Sequence, residues 1–374
     1  MSLGHIAVFM TRGGSLQAWE KTGMMEREIS LYRALVELGY KITLVTYGNQ
    51  LDQQFSPKLA GMTICVNRWG LKNDLYGRLI PYLHFFRLKQ ADLFKSNQFD
   101  GSLFVKYAAN VLNKPFIARG GYSWSGFIKE KWGDSSERHQ EVFREELSVF
   151  KESDAIVVTT SRMKEDIAQA APEYSEKVSV IPNYVDTKIF APVNDFSDHD
   201  KTYDFICVGR LNPQKNLSQV LKAIRGTGYR VAIVGEGELK EELQSEFSDL
   251  SGQVDWLGVV PHQQLPDLIR KSRVYVLASL YEGHPKTLIE AMSCGACVLG
   301  SDVPGISDVI GHQQNGYLCG TDSDELRRSM EVLSADGTLR DSLGKAARAY
   351  VLGHLSIEAI AAQESALYQR LMAA

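Results

Sequence analysis

Two carboxylates eight positions apart are the most chemically suggestive pair in this sequence. Glu282 and Glu290 lie in residues 281–295, Y-E-G-H-P-K-T-L-I-E-A-M-S-C-G, directly after the apolar run 273–278. Ionised carboxylates accept hydrogen bonds from the paired hydroxyls of a sugar or ribose. Between them Pro285 fits the first turn of a helix running to about Cys294. A helix start presents N–H groups and a positive dipole end, which suit a diphosphate or sugar oxygen. A second cluster, residues 209–216, follows the strand ending at Val208 and carries Arg210 and Lys215, two cations five positions apart. Cations on a strand-to-helix loop clamp a diphosphate and stabilise charge on a leaving nucleotide. Taken singly, each cluster also reads as an ordinary solvated loop.

These loops need elements to hold them. Residues 5–11 read as a buried strand ending in Arg12-Gly13-Gly14, followed by an amphipathic helix from about 24 to 38, closed by Gly39, and a second strand at 41–46. Strand, glycine loop, helix and strand open a parallel sheet. Short apolar runs at 62–66, 115–118 and 155–159 follow, alternating with polar helical stretches such as 135–151. A second series has strands at 205–209, 230–235, 254–258, 273–278 and 296–300, with helices at 218–224 and 238–247. Between the series, the polar, turn-forming stretch 192–200 reads as a linker. The expected organisation is α/β: a Rossmann-like domain over 1–182, an interdomain linker over 183–202, a second Rossmann-like domain over 203–355, and a final helix over 356–374 that packs back on one of the two, with the N-terminal domain as the working assignment. Two such domains are expected to face each other across a cleft, with ligands beyond the carboxyl ends of the strands.

Bulk properties narrow the classes. The chain has 374 residues, enough for two cores, and 44% hydrophobic and 23% charged residues, an ordinary globular composition. A formal net charge of −4 gives no general pull toward nucleic acid. No apolar run approaches the ~20 residues that cross a bilayer, and the first residues read as lacking a signal peptide. Five sparse cysteines argue for buried thiols in a reducing compartment; this includes the Cys294/Cys297 C-x-x-C.

The motifs also resemble a known family. Residues 281–295 resemble the E-x7-E signature of the retaining GT-B glycosyltransferases of family 4, and V-G-R-L-N-P-Q-K-N at 208–216 resembles their phosphate-binding R-x4-K segment. I-P-N-Y-V-D-T-K-I-F at 181–190 is similar to their interdomain I-P-N-G-V-D, and V-A-I-V-G-E-G-E-L, D-W-L-G-V-V-P and D-V-P-G-I-S-D-V-I match in type and order. The likeness is close over 181–318 and only in outline before it. It implies a GT-B fold, in which Arg210 and Lys215 bind the diphosphate. Glu282, with the backbone of Gly283, His284, Pro285, Lys286 and Thr287, would hold the transferred sugar, and Gly209 and Leu288 would line the same site. Glu290 would bind the ribose, and Val260, with Val259 and Pro261, would edge the base. Gly13 and Gly14, or Gly23, would let the N-terminal backbone approach the phosphates. The chain departs from the family at Tyr184, where Gly is usual, and at Cys297, where Pro is common. It departs again in F-I-A-R-G-G-Y at 116–122, where Arg119 stands near the position of a usual His and is assigned with the catalytic residues.

The implied activity is retaining, metal-independent transfer from a nucleotide-diphosphate sugar to a carbohydrate or glycolipid acceptor in bacterial polysaccharide or glycolipid synthesis. No cofactor is expected beyond that donor substrate, and the expected location is cytoplasmic or peripheral at the inner membrane face. A sugar-nucleotide epimerase of the same fold and a non-catalytic nucleotide-sugar binding protein are the alternatives. Gly235-Glu236-Gly237 lacks a third glycine at Lys240, which weakens a dehydrogenase reading. Asp198-His199-Asp200 and Asp322-Ser323-Asp324 have D-x-D form but sit in polar turns and read as solvated loops. Residues 68–95 interleave Arg68, Lys72, Arg78, Arg87, Lys89 and Lys95 with Trp69, Tyr76, Tyr82, Phe85, Phe86 and Phe94. That pattern suits an anionic membrane surface or an acceptor, although the weightier reading is a partly buried helix with a solvated basic face.

Overall fold

A computed structural model describes residues 2–133, 135–193 and 201–373. The chain divides into two units, Met1–Pro182 with Ile360–Ala374, and Asn183–Ala359. Residues 194–200, which include most of the linker's turn-forming stretch and Asp198-His199-Asp200, lie outside the described residues.

The first unit has strands β1 (Gly4–Phe9), β2 (Tyr40–Val45), β3 (Thr63–Cys65), β4 (Leu93–Ser96), β5 (Phe116–Gly120), β6 (Ala155–Val158) and β7 (Val178–Val180). They pair in parallel in the order β3-β2-β1-β4-β5-β6-β7. Runs such as Ile-Val-Val in β6 are apolar at successive positions because helices cover both faces of a parallel sheet. Those helices are α1 (Leu16–Lys21), α2 (Met25–Glu37), α3 (Asn73–Leu83), α4 (Phe85–Leu88), α5 (Ser102–Leu112), α6 (Trp124–Trp132), α7 (Glu137–Glu152) and α8 (Ser161–Ala170). Gly39 follows α2 with φ +106°, a left-handed stop that glycine supplies without strain.

The reading of 68–95 as one helix with a basic face needs correction. The segment makes two short helices, α3 and α4, and then turns inward as β4. Lys95 is fully buried on that strand rather than on a solvated face. It is bonded to Glu364, and its Nζ donates to the Tyr368 hydroxyl at 3.0 Å. Both partners lie on the last helix of the chain, so residues 360–374 belong to the first unit. Burial pulls the Lys95 ammonium down to about 8, against the opposing pull of the Glu364 carboxylate.

The second unit has β8 (Tyr203–Val208), α9 (Leu217–Ile224), β9 (Val231–Val234), α10 (Lys240–Glu246), β10 (Val254–Gly258), α11 (Leu265–Arg270), β11 (Ser272–Leu277), α12 (Lys286–Ser293), β12 (Cys297–Ser301), β13 (Tyr317–Cys319), α13 (Ser323–Ala335) and α14 (Gly337–His354), and the start of α15 (Ile357–Ala373). Its sheet is parallel in the order β10-β9-β8-β11-β12-β13. One core covers each face, Phe205, Val220 and Leu299 on one side and Ile206, Leu288 and Val298 on the other. Cys294 and Cys297 are both buried, and desolvation pushes each thiol up to about 12. Asp322 of the second D-x-D accepts the Asp324 and Glu325 N–H groups at 3.0 Å, so it is the N-cap of α13.

Candidate active site

The strand order of the second unit reverses between β8 and β11, which are hydrogen-bonded neighbours. At such a switch point the loops leaving the two carboxyl ends diverge to opposite faces and open a crevice between them. The two motif loops are those two loops.

After β8, Asn212 caps a single 3-10 turn (Pro213–Lys215), its side-chain oxygen accepting the Lys215 N–H at 3.3 Å. Asn216 then takes a left-handed φ of 54° to start α9. After β11 the chain runs to α12, with Pro285 as its N-cap rather than inside its first turn. No side-chain hydrogen bond caps this end, so its first-turn amides are oriented for an anion or sugar oxygen. The loops are laced together. Gln214 Nε2 donates to the Tyr281 carbonyl at 2.8 Å, and the Leu280 N–H donates to the Gln214 carbonyl at 2.9 Å.

Across this lacing Lys215 Nζ reaches Glu282 Oε1 at 2.5 Å, and Ser279 Oγ donates to the same oxygen at 2.7 Å. The cation assigned to phosphate and the carboxylate assigned to sugar thus hold each other. Gly209 makes room for the lysine stem: a Cβ there would stand 3.2 Å from Lys215 Cε. Arg210 is exposed and has no side-chain partner among the described residues.

Glycines fix the floor under both loops. A Cβ on Gly235 would fall 1.9 Å from the Gly209 carbonyl oxygen, and one on Gly237 2.2 Å from that of Leu211. The G-E-G run is therefore where one backbone crosses directly over the β8 loop. Gly305, at φ +83°, does the same for the other loop, with its Cβ position 2.2 Å from the Gly283 oxygen.

On α12, Thr287 Oγ1 is bonded to the Tyr275 hydroxyl at 2.8 Å. His284 is buried, and its carbonyl accepts from Asn183 Nδ2 at 2.7 Å. Lys286 Nζ lies 5.3 Å from the Tyr184 ring centre, so the aromatic at the usual Gly position meets a cation. Leu288 is core. Glu290 is only 2% exposed and Oε1 is 2.8 Å from His262 Nε2. His262 follows Val260 and Pro261 after β10 and packs on Phe190, ring centres 4.9 Å apart.

Among the described residues no group of three or more His, Cys, Asp or Glu is placed to hold a metal.

Gly13, Gly14, Gly23 and Arg119 lie in the first unit. Gly13 (φ +75°) and Gly14 make the tight turn after β1, with the Gly14 N–H donating to the Thr11 carbonyl at 2.7 Å. Gly23 (φ +70°) terminates α1. Arg119 is buried on β5, its Nη1 donating to the Asn97 carbonyl at 3.1 Å.

Ser279, Gln214, Asn183 and His262 were not singled out in the sequence. Gln214 was findable, since it stands inside the R-x4-K segment. Ser279 is only three positions from Glu282, and Asn183 stands inside the I-P-N-Y segment, although its partner His284 is 101 positions away; His262 and Glu290 are 28 positions apart.

The description "Glycosyl transferases group 1" matches residues 194–350, and "Glycosyltransferase Family 4" matches residues 29–189. The chain belongs to this family of GT-B glycosyltransferases. Among its relatives is an E. coli enzyme named UDP-Gal:alpha-D-GlcNAc-diphosphoundecaprenol alpha-1,3-galactosyltransferase, 31% identical over 38% of this chain and 41% of that one. Another is the alpha-maltose-1-phosphate synthase of Mycolicibacterium smegmatis, 24% identical over 61% of this chain and 66% of that one. The matches thus span between about two-fifths and two-thirds of these relatives' length. Among solved structures, sucrose-phosphate synthase from Thermosynechococcus elongatus superposes with a TM-score of 0.81 at 20% identity, over 99% of both chains. HepE from Anabaena, solved with UDP, gives 0.77 at 15% identity over 99% of this chain and 100% of that one.

Proposed function

We propose that the protein is a retaining, metal-independent glycosyltransferase that takes a sugar from a nucleotide-diphosphate donor held by the second unit. The observation that carries this reading is the pairing of Lys215 and Glu282 at the switch point, where the R-x4-K and E-x7-E loops meet. Bond breaking at the anomeric carbon leaves negative charge on the diphosphate and positive charge on the sugar. Arg210 and Lys215 meet the first, with the amides at the start of α12; Glu282 meets the second and accepts from sugar hydroxyls. Charges fixed beforehand stabilise that separation without reorganising. Glu290 takes the ribose, and the Val259–Pro261 turn edges the base. Gly13, Gly14 or Gly23 gives the phosphates close backbone approach, and Arg119 contributes a cation from the first unit. No cofactor is required, since the donor carries the activated sugar.

For the acceptor we infer a carbohydrate or glycolipid, in bacterial polysaccharide or glycolipid assembly. The E. coli relative, whose name specifies a diphosphoundecaprenol-linked sugar, supports this choice. The proposed location is cytoplasmic, peripheral at the inner membrane face. Nothing in the named relatives favours the epimerase alternative.

A panel of nucleoside diphosphates and their sugars, read by thermal shift, identifies the donor, because selective binding raises Tm. Transfer from the selected donor is then followed by NMR of the new anomeric centre, with and without EDTA. Retained configuration and an undiminished rate in EDTA are expected. Inversion, or loss of activity restored by manganese, overturns the corresponding part of the reading.

A further inference from the structure

Helix α14 comes into backbone contact with the end of the donor-site helix α12. A Cβ on Gly344 would fall 2.2 Å from the Gly295 carbonyl oxygen, so no side chain separates α14 from the chain just beyond α12. One turn further along α14, on the same face, stands Arg348. Its Nη1 donates to the Ser293 carbonyl at 2.7 Å and to the Phe190 carbonyl at 2.8 Å, with the Ser293 hydroxyl also at 2.8 Å. Its Nη2 donates to the Thr187 carbonyl at 3.0 Å. The Ser293 hydroxyl itself donates to the Phe190 carbonyl at 2.6 Å. One planar guanidinium therefore binds the last residue of α12 to the segment 187–190.

Two features set this cation apart from a surface arginine. It has no carboxylate partner among the described residues. Arg270, which donates to the next carbonyl along, that of Ala191, at 2.7 Å, is by contrast bonded to Asp267. What offsets the Arg348 charge is the carbonyl end of α12, where the helix dipole favours a cation. The grip also reaches Glu290. Phe190 is fully buried, and its ring packs on His262, whose Nε2 is 2.8 Å from Glu290 Oε1. Glu290 and Ser293 share the last turn of α12. Arg348 thus holds both the ring behind the His262–Glu290 pair and the helix that carries Glu290. A forked, planar group can serve carbonyls on both sides at once, which a single ammonium cannot.

We propose that Arg348 is a positioning residue for the donor's ribose: by fixing Phe190 and the end of α12 to one another, it holds His262 and Glu290 in the geometry that binds the ribose hydroxyls. The proposal rests on the assignment of Glu290 to the ribose made above. The experiment is calorimetric titration of UDP, its dideoxyribose analogue and inorganic pyrophosphate into the wild type, Glu290→Gln, Arg348→Met and the double variant, with the GDP and ADP pairs run in parallel. The wild type prefers the nucleotide that carries the ribose hydroxyls, and Glu290→Gln removes the preference. Arg348→Met is expected to reduce it by about tenfold, the scale of one lost charge-assisted hydrogen bond, with pyrophosphate affinity unchanged. The double variant is no worse than Glu290→Gln alone, because Arg348 acts only through the pair. Arg348→Lys keeps a cation at the end of α12 and shows the same loss in smaller measure; it decides the matter if Arg348→Met does not fold. A preference lost in Glu290→Gln but kept in the Arg348 variants overturns the proposal and leaves the ribose reading intact. So does a pyrophosphate affinity that falls in step with that for UDP, which marks a general loosening of the unit. A preference that Glu290→Gln keeps, or that the wild type lacks, is instead the failure of the ribose reading, and the proposal falls with it.

Discussion

Lys215 and Glu282 lie 67 positions apart in the chain and 2.5 Å apart in space, each with a side chain at most 15% exposed. The lysine thereby sets the carboxylate before any ligand arrives. Lys215→Ala and Glu282→Gln are each expected to lower kcat/KM by on the order of 10²-fold. The double variant loses less than the product of the two, because the residues act as one unit. Glu282→Gln reduces turnover far more than affinity for the bare nucleoside diphosphate. Steady-state kinetics with calorimetric titration check both; multiplicative losses refute the coupling.

Arg210 provides the contrast. It is exposed and without a side-chain partner among the described residues, so Arg210→Ala lowers donor affinity and turnover with Tm unchanged. Lys215→Ala lowers Tm as well, since Glu282 is left with the Ser279 hydroxyl. Differential scanning calorimetry of the two variants distinguishes these outcomes.

The buried Glu290–His262 pair leads to a test by ligand size. If Glu290 serves the ribose, Glu290→Gln and His262→Ala weaken binding of a nucleoside diphosphate and leave binding of inorganic pyrophosphate unchanged. Equal weakening of both ligands would place the pair at the phosphates instead.

Gly305 supports the Glu282 loop from below, where a Cβ would collide with the Gly283 carbonyl. Gly305→Ala is expected to destabilise the protein by on the order of 1–3 kcal/mol, through the clash and the left-handed φ together. It also lowers kcat/KM at temperatures where the variant remains folded. An unchanged kcat/KM would show that the loop does not depend on this support.

His84 sets an acid limit. Desolvation holds its imidazole down at about 4, with the Arg87 and Arg68 charges adding to the effect, and the ring is bonded to the Tyr76 hydroxyl at 2.9 Å. In the unfolded chain it takes up a proton near pH 6.5. Between those values the unfolded state binds more protons, so His84's contribution to stability is full above pH 6.5 and is lost as pH falls toward 4. His84→Gln is expected to flatten the stability–pH curve in that window, as measured by urea unfolding at successive pH values.

Much of the second unit was legible in the sequence because its signals are local. Each strand there is a short apolar run closed by glycine or a polar turn, and β10 falls at 254–258 as expected. The motif loops follow from their own residues. What escaped was long-range or very short. Strand β4 lies at the end of a basic, aromatic stretch, and nothing near Lys95 reveals that its carboxylate stands 269 positions away. Strands β7 and β13 have three residues each; β3 is as short, but the flanking apolar Met62 and Val66 mark it, whereas Ser179 interrupts β7. The Lys215–Glu282 bond is likewise long-range, spanning 67 positions, and each residue's own motif points it at a different part of the ligand.

The Lys95–Glu364 bond also bears on synthesis. A ribosome delivers the whole seven-stranded sheet, through β7, long before residue 364 emerges. Until then the nascent chain holds an ammonium group destined for a site without water and without its counter-charge, where a lone buried ion costs several kcal/mol. The unit that is translated first is therefore the one completed last, and translation stopped just after Pro182 would release it with that lysine uncompensated.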